Sequence, residues 1–321
     1  MPEKLYIEIV RSSLVELSSM SLISAQAIQN SLKKKYAMVG LSVVDNLDDL
    51  KNLVAKKPDL VFLGMEYVYN NVDRKKIWIS DFLDRNDINY TGSSKFSHKL
   101  GRNKISAKNQ ITDAGYNTAK HKVVKSGHNF SESEMIFPFP VFIKPTNKGG
   151  GTGIDSNSLA FNLEQVNLKI NEISSVYQTD SLVEEYLSGR EFSVAILKNK
   201  SSDIFSVMPI ELIAPIDENG ARILGNKVKS SNLEEVATVT ELKIRTQVNA
   251  LALNAFQALG GRDYGRIDIR LDSTGTANFL EANFIPSLIE DYGSFPKACK
   301  ININLDYEPM VNHIVELGLA H

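Results

Sequence analysis

RIDIRLDSTGTANFLEAN, residues 266–283, consists of two alternating runs of residues separated by a polar turn. Successive side chains of a strand point to opposite faces of a sheet. In the first run, Arg266, Asp268 and Arg270 therefore share one face, and aliphatic residues occupy the other. If Asp268 pairs with Glu281, the turn is centred between Thr274 and Gly275, and this part of the sequence is rich in turn-forming residues. The stretch predicts an antiparallel β-hairpin.

This hairpin is a candidate metal site. In its second run, Phe279, Glu281 and Asn283 are expected to share a face, so that Asp268, Glu281 and Asn283 converge on one patch. Their ligand atoms are all hard oxygens, which suit Mg²⁺ shared between carboxylates and substrate phosphates. The alternative is a surface hairpin whose polar side chains simply face solvent.

A glycine-rich segment, KPTNKGGGTG, occupies residues 144–153. Glycines cost backbone entropy and contribute no packing, but their exposed N–H groups can surround a phosphate. No Gly-Lys-Ser/Thr ends the segment, and Ile154 stands where the third glycine of a dinucleotide fingerprint belongs. Taken alone, the segment favours a flexible surface loop over a phosphate-binding loop.

Acidic residues stand at both ends of the apolar run 182–191, namely Glu184, Glu185 and Glu191. Carboxylate and backbone acceptors beside a strand can bind an adenine amine and ribose hydroxyls. A solvated strand end is the alternative. Neither the five scattered histidines nor the single Cys299 forms a nucleophile triad or a metal-ligand spacing.

The composition restricts the class of protein. The chain has 321 residues, enough for two or three modules, and its 43% hydrophobic and 23% charged residues are typical of a globular protein. The net charge of -2 offers no basic field for nucleic acid or an anionic membrane. One cysteine, no signal-peptide layout and no apolar run of ~20 residues favour a cytoplasmic location.

Hydrophobic periodicity predicts an α/β fold. In the first ninety residues, strands near 5–9, 37–43 and 60–63 alternate with helices near 21–35 and 77–86, which favours a parallel sheet covered by helices on both faces. Farther along, the pattern predicts helices at 97–114 and 241–259 and strands at 139–145, 181–187 and 192–197.

The order of these segments resembles the ATP-grasp superfamily, and most closely the D-alanine–D-alanine ligases. The residues that carry the resemblance lie at 90–93, 140–145, 187–197, 265–268 and 280–283. It implies three α/β modules at 1–90, 91–187 and 188–321, the first of them a parallel domain that precedes the ATP-grasp pair. ATP is then expected between the second and third modules.

The resemblance also implies roles for individual residues. The expected nucleotide-binding residues are Lys104, Lys144, Gly149, Gly150, Gly151, Thr152, Glu184, Glu185, Leu187 and Glu191. The expected metal ligands are Asp268, Glu281 and Asn283, binding Mg²⁺ or, as an alternative, Mn²⁺. Arg266 is expected to stabilise the transferring phosphate, and Lys227 matches the lysine of a mobile loop.

The implied function is an ATP-dependent ligase that joins a small carboxylate to an amine through an acyl phosphate, with homodimerisation expected from the family. The substrate contacts depart from the family pattern: Leu14 replaces the acid that holds the first D-alanine, although Glu16 is close to it. The second pocket has different residues, namely Ser287, Glu290, Asp291 and Tyr292. We therefore expect substrates other than two D-alanines.

Two alternatives remain at this point. The chain could be a nucleotide-binding module that has lost catalysis and serves a regulatory role. It could also be an ATP-grasp enzyme that acts on a larger acid or on a nucleophile other than an amine.

Overall fold

The first sheet is parallel, as predicted. In this computed structural model, which describes residues 3–14, 16–17 and 20–321, four parallel strands follow the order β2-β1-β3-β6. They are β1 (Glu3–Arg11), β2 (Tyr36–Val43), β3 (Leu60–Leu63) and β6 (Asn89–Tyr90). A small antiparallel pair, β4 (Tyr67–Tyr69) and β5 (Lys76–Trp78), lies beside them.

The second sheet is antiparallel and has the order β7-β10-β8-β9. Its strands are β7 (His121–Val124), β8 (Val141–Pro145), β9 (Leu159–Ala160) and β10 (Ser181–Glu185). The third sheet is also antiparallel, with the order β13-β12-β11-β14-β15. Its strands are β11 (Glu191–Lys198), β12 (Phe205–Ile213), β13 (Glu235–Thr238), β14 (Tyr264–Leu271) and β15 (Ala277–Asn283). Each of these three sheets lies within one predicted module, and the module boundaries stay predictions.

Ten α-helices connect or cover the sheets in the described part of the chain. Those of the first half are α1 (Leu22–Leu32), α2 (Leu47–Ala55), α3 (Ile79–Asp84), α4 (Lys95–Arg102) and α5 (Lys104–Asp113). Those of the second half are α6 (Leu163–Tyr177), α7 (Asn226–Ser230), α8 (Leu242–Ala258), α9 (Ser294–Ile303) and α10 (Tyr307–Leu319). Short 3₁₀ turns lie at Glu132–Glu134 and Ser156–Ser158. None of the described helices combines the length and apolar character needed to cross a bilayer.

The single helix predicted over 97–114 is wrong, because two helices meet at Asn103. Asn103 has extended backbone angles, and its side-chain oxygen accepts hydrogen bonds from the N–H groups of Ile105 and Ser106. This is an N-cap, which begins a new helix at Lys104. The break separates α4 from the helix that carries two of the site lysines.

The predicted hairpin is confirmed, with Asp268 paired directly with Glu281 and Arg266 with Asn283. A β-bulge follows, since Ile269 pairs with Phe279 and leaves Leu280 as the extra residue. One inserted residue reverses the facing of everything beyond it. The expectation that Phe279 shares a face with Glu281 is therefore wrong.

The two faces of the third sheet have different roles. Phe192, Val194 and Ile196 of β11 pack with α8 in one core, which also contains Phe279 and the aliphatic residues of β14. The opposite face begins with Ser193 and continues into a second core that it shares with the first sheet, α1, α9 and α10. The polar beginning of that face is where the site lies.

Candidate active site

A cavity lies between the second and third sheets. The predicted residues that line it are Lys104, Lys144, Gly151, Glu184, Glu185, Leu187, Glu191, Asp268 and Glu281. Sequence reasoning did not assign its other lining residues, which are Ala119, Phe142, Lys148, Ile154, Tyr186, Leu224, Lys229, Arg270 and Leu280. The fold thus gathers most of the predicted nucleotide and metal residues around one volume.

Glu184 is the centre of a buried ion-pair network. Its Oε2 lies 2.6 Å from Lys144 Nζ, and its Oε1 lies 2.7 Å from Lys108 Nζ. Sequence reasoning missed Lys108, although it stands four residues after Lys104 on α5 and so shares a helix face with it. Two lysines on one carboxylate leave this end of the cavity positively charged.

The network fixes the charge of Glu184. Burial raises the pKa of this carboxyl, but Lys108 and Lys144 outweigh burial and lower the pKa to about 2. Burial lowers the pKa of Lys108 to about 8, with partial compensation by Glu184.

We expect Glu184 to make the free energy of unfolding pH-dependent in acid. Its folded-state pKa of about 2 lies below the ordinary value of 4.5. Its contribution is therefore fully present above pH 4.5 and is lost as the pH falls toward 2. Denaturant titrations over this range should give a shallower pH dependence for Glu184→Gln than for the parent chain. Glu132→Gln, at an exposed glutamate, is the control; equal slopes for all three proteins would contradict the expectation.

Asp268 is held rigidly at the cavity wall. Arg266 donates to both of its oxygens, from Nε and Nη2, at 2.9 Å, and the Ser193 hydroxyl donates at 2.8 Å. Arg266 itself does not line the cavity, and its contact with the site is this ion pair with Asp268. A fork of two parallel N–H···O bonds fixes the carboxylate plane, and it leaves lone pairs available for a cation.

Glu281 faces the lysines across the cavity. Lys104 Nζ lies 3.6 Å from its Oε2. Burial raises the pKa of Glu281, but Lys104 and Lys229 outweigh it, together with Arg266, and lower the pKa to about 2. An ionised carboxylate is thus paired in register with Asp268 at the point where the two strands enter the cavity.

Asn283 occupies a different position from the two carboxylates. It is paired in register with Arg266, its Oδ1 accepts a hydrogen bond of 3.2 Å from Ile285 N–H, and it is outside the cavity lining. Across residues 3–14, 16–17 and 20–321, no three His, Cys, Asp or Glu side chains form a metal-binding group. Of the three predicted metal ligands, Asp268 and Glu281 line the cavity and Asn283 does not.

Only part of the glycine segment touches the cavity. Gly151 lines it, whereas Gly149 and Gly150 are exposed and Thr152 is half-buried. A Cβ on Gly151 would lie 2.8 Å from the backbone nitrogen of Asn226. The segment therefore needs glycine at 151 for close approach to the start of α7.

Helix α7 brings Lys229 to the cavity, and it leaves Lys227 exposed and outside the lining. Positions two apart on a helix point about 200° apart, so one of the two lysines faces inward and the other faces away. The charge of Lys229 favours the ionised forms of Glu191 and Glu281. The structure thus does not support Lys227 as the lysine that reaches the site.

The residues expected to contact the amino-acid substrates lie outside this cavity. Glu16, Glu290 and Asp291 are exposed, and Ser287 is half-buried. Tyr292 donates a hydrogen bond of 2.6 Å from its hydroxyl to the carbonyl of Lys229, which connects the segment after β15 to α7.

Comparisons with known proteins identify relatives of this chain. The family model described as D-ala D-ala ligase C-terminus matches residues 108–316. The chain is 27% identical over 321 residues to a D-alanine–D-alanine ligase of Desulfotalea psychrophila, covering 99% of this chain and 96% of that protein. It is 29% identical over 240 residues to an uncharacterized protein of Sinorhizobium fredii, covering 74% and 68% of the two chains.

The fold is also similar to solved structures. The crystal structure of D-alanine–D-alanine ligase from Bacillus anthracis complexed with ATP matches with a TM-score of 0.75 and 18% identity over 98% of both chains. Another structure of the ligase from that organism matches with a TM-score of 0.78 and 19% identity. This chain therefore belongs to the D-alanine–D-alanine ligase C-terminal family of the ATP-grasp superfamily and is an ATP-dependent, ADP-forming ligase of C–N bonds.

Proposed function

We propose that the chain joins a carboxylate to an amine through an acyl-phosphate intermediate, and that its substrates are not two D-alanines. The observation that carries the proposal is the contrast between two sets of residues. Lys104, Lys144, Asp268 and Glu281 all line one cavity, in agreement with the family pattern. The residues at the expected amino-acid contacts differ from that pattern.

ATP would occupy the cavity with its phosphates among the lysines. Lys104, Lys144 and Lys229 provide positive charge there. Glu184 and the backbone from Glu185 to Leu187 would face the adenine, and Glu191 the ribose. Phe142 and Tyr186 have nearly parallel rings with centroids 6.5 Å apart, which gives this end of the cavity aromatic walls.

The donor set fits a divalent cation. Asp268 and Glu281 carry hard oxygen atoms on paired strand positions, and two carboxylates plus phosphate oxygens are a usual environment for Mg²⁺. When bound, Mg²⁺ or Mn²⁺ would neutralise charge on the terminal phosphates. Arg266, which forms the fork with Asp268, would keep that carboxylate oriented toward the phosphates.

The reaction follows from the poor reactivity of a carboxylate as an acyl donor. Attack of the substrate carboxylate oxygen on the γ-phosphorus of ATP breaks the bond to the β-phosphate oxygen and releases ADP. The neutral amine then attacks the acyl carbon, the C–O bond to phosphate breaks, and the leaving phosphate takes the proton that the amine nitrogen gives up. Positioning and charge neutralisation by the lysines suffice for these steps, provided that water is kept out.

The substrate proposal depends on charge at the acceptor side. Leu14 carries no charge at the position of the acid that holds the first D-alanine in the family pattern, and Glu16 is exposed. Glu290 and Asp291 add negative charge after β15 and would repel a second free carboxylate. We therefore favour an amine-bearing or cationic second substrate.

The decisive experiment is an ADP-release screen over libraries of carboxylates and amines, each tested with ATP and Mg²⁺. We expect D-alanine alone to give little ADP and at least one mixed pair to give robust release with an amide product. Efficient synthesis of D-alanyl-D-alanine would overturn the substrate proposal. Stoichiometric ATP binding without ADP release in any pool would instead favour a silent nucleotide-binding module, which the intact charge network of the cavity does not favour. Product mass would also show whether the nucleophile is an amine and how large the acid is.

A further inference from the structure

Arg270 is a buried cation in the cavity wall to which the chemistry above gives no role. It lies on β14 two residues after Asp268 and on the same face, and it is only 8% exposed. A buried guanidinium needs partners for its N–H groups, because unpaired charge in a protein interior is costly. Its partners therefore indicate what the side chain does.

Two of those partners, Glu191 and Tyr186, line the cavity with Arg270, and the other two are backbone carbonyls of neighbouring segments. Nη1 donates to Glu191 Oε2 at 3.0 Å, Nε to the carbonyl of Gly189 at 3.2 Å, and Nη2 to the carbonyl of Arg222 at 2.9 Å and to the Tyr186 hydroxyl at 3.3 Å. Four of the five N–H groups of a guanidinium are thereby used. The arginine therefore connects Glu191 to the Gly189 and Arg222 backbone and to the Tyr186 side chain.

The effect on Glu191 is geometric and electrostatic. Oε2 is fixed by Arg270, which leaves Oε1 as an acceptor at the cavity wall. Burial raises the pKa of Glu191, and Arg270 opposes that rise. The arginine thus favours the ionised, acceptor-only form of the Glu191 carboxyl.

We infer that Arg270 is a positioning residue that holds Glu191 to accept a hydrogen bond from a ribose hydroxyl, and so makes the cavity selective for ribonucleoside over deoxyribonucleoside triphosphates. The inference rests on the proposed ATP site and adds a determinant of sugar specificity to it. Along β14, Arg266 and Asp268 would then lie at the phosphate end of the nucleotide, and Arg270 would lie at its sugar end.

The test is equilibrium binding of ATP, 2′-deoxy-ATP and 3′-deoxy-ATP with Mg²⁺ and without other substrates. An acceptor left unpaired costs about 1–3 kcal/mol, so the parent chain should bind at least one deoxy analogue about 5- to 100-fold more weakly than ATP. In Arg270→Met this ratio should fall to within about twofold of unity. Arg270→Lys should give an intermediate ratio, because a lysine keeps the charge but not the planar fork.

Two further variants separate positioning from a general structural role. If Arg270 acts through Glu191, then Glu191→Gln should remove the same discrimination, and the double variant with Arg270→Lys should lose no more than Glu191→Gln alone. Arg190→Lys is the matched control, since Arg190 pairs with Glu211 and Glu241 and lies outside the nucleotide cavity. It should keep the parent ratio.

The outcomes distinguish this inference from the proposed function. A parent chain that fails to bind ATP would contradict the proposed function. A parent chain that binds ATP and its deoxy analogues equally would overturn the sugar-specificity inference alone, and so would unchanged discrimination in a folded Arg270→Met. If Arg270→Met does not fold by circular dichroism, the ratio measured for Arg270→Lys decides, and a ratio equal to the parent's overturns the inference.

Discussion

Asp268→Asn and Glu281→Gln should each lower the rate of ADP release by about 1000-fold, the loss expected when transition-state charge on transferring phosphate is no longer neutralised. The two carboxylates are directly paired across β14 and β15 and both line the cavity. The Glu281 carboxyl, with a pKa of about 2, is ionised at neutral pH, so the amide substitution removes a full charge. ADP release at saturating ATP with the active substrate pair is the measurement.

The control for these variants lies on the same hairpin. Asp272 accepts hydrogen bonds from Thr274 and Thr276 through Oδ1, an atom that asparagine retains, and it lies outside the cavity. Asp272→Asn should therefore keep the rate within about twofold of the parent, as expected for a substitution that preserves its contacts. A Mn²⁺ titration in the presence of ATP should show weaker metal binding in both site variants and not in the control. If both site variants kept more than about a tenth of the parent rate, Asp268 and Glu281 would not be metal ligands.

The hairpin shows which parts of the site a sequence can reveal. Alternation assigns the faces, and centring the turn in the polar segment gives the pairing of Asp268 with Glu281, which the structure confirms. The same rule fails for Phe279, since the bulge at Leu280 is decided by packing against the core on α8. Local periodicity determines a strand's faces only as far as the first inserted residue.

Other features depend on contacts between distant segments. The approach of Gly151 to Asn226 joins the glycine segment to the start of α7, and no local pattern relates residues so far apart in the chain. The pairing of Arg270 with Glu191 follows from β11 lying beside β14, an arrangement that becomes visible only in the folded sheet. Lys108 is different, because its spacing from Lys104 on one helix was readable from the sequence.

The resemblance to the family identified Lys227 as the mobile-loop lysine, and the structure points instead to Lys229. Spacing along an irregular segment is a weak guide, because one or two inserted residues change which side chain faces inward. The family resemblance identifies the segment that contains the lysine, whereas the helix geometry of α7 determines which lysine faces the cavity.

Lys229→Ala should lower kcat/KM for ATP by about 100-fold, the loss typical when one preorganised donor to developing negative charge is removed. Lys229 lines the cavity and its charge acts on Glu191 and Glu281, so its removal leaves fewer cations to face the nucleotide phosphates. Lys227→Ala is a closely matched control, since it makes the same substitution two residues away on the same five-residue helix. Because Lys227 is exposed, its loss should change kcat/KM by no more than about twofold.

A large loss of kcat/KM in Lys227→Ala and a small one in Lys229→Ala would support Lys227 as the mobile-loop lysine. It would also mean that α7 rotates when the nucleotide binds. Tyr292→Phe helps to separate the two cases. The Tyr292 hydroxyl donates a hydrogen bond to the Lys229 carbonyl, a contact that holds α7 with Lys229 facing the cavity. If that orientation is the active one, Tyr292→Phe should lower the rate of ADP release in the parent chain. It should have little further effect in Lys229→Ala, because both substitutions act through the Lys229 side chain. Additive losses would show instead that Tyr292 acts independently of Lys229.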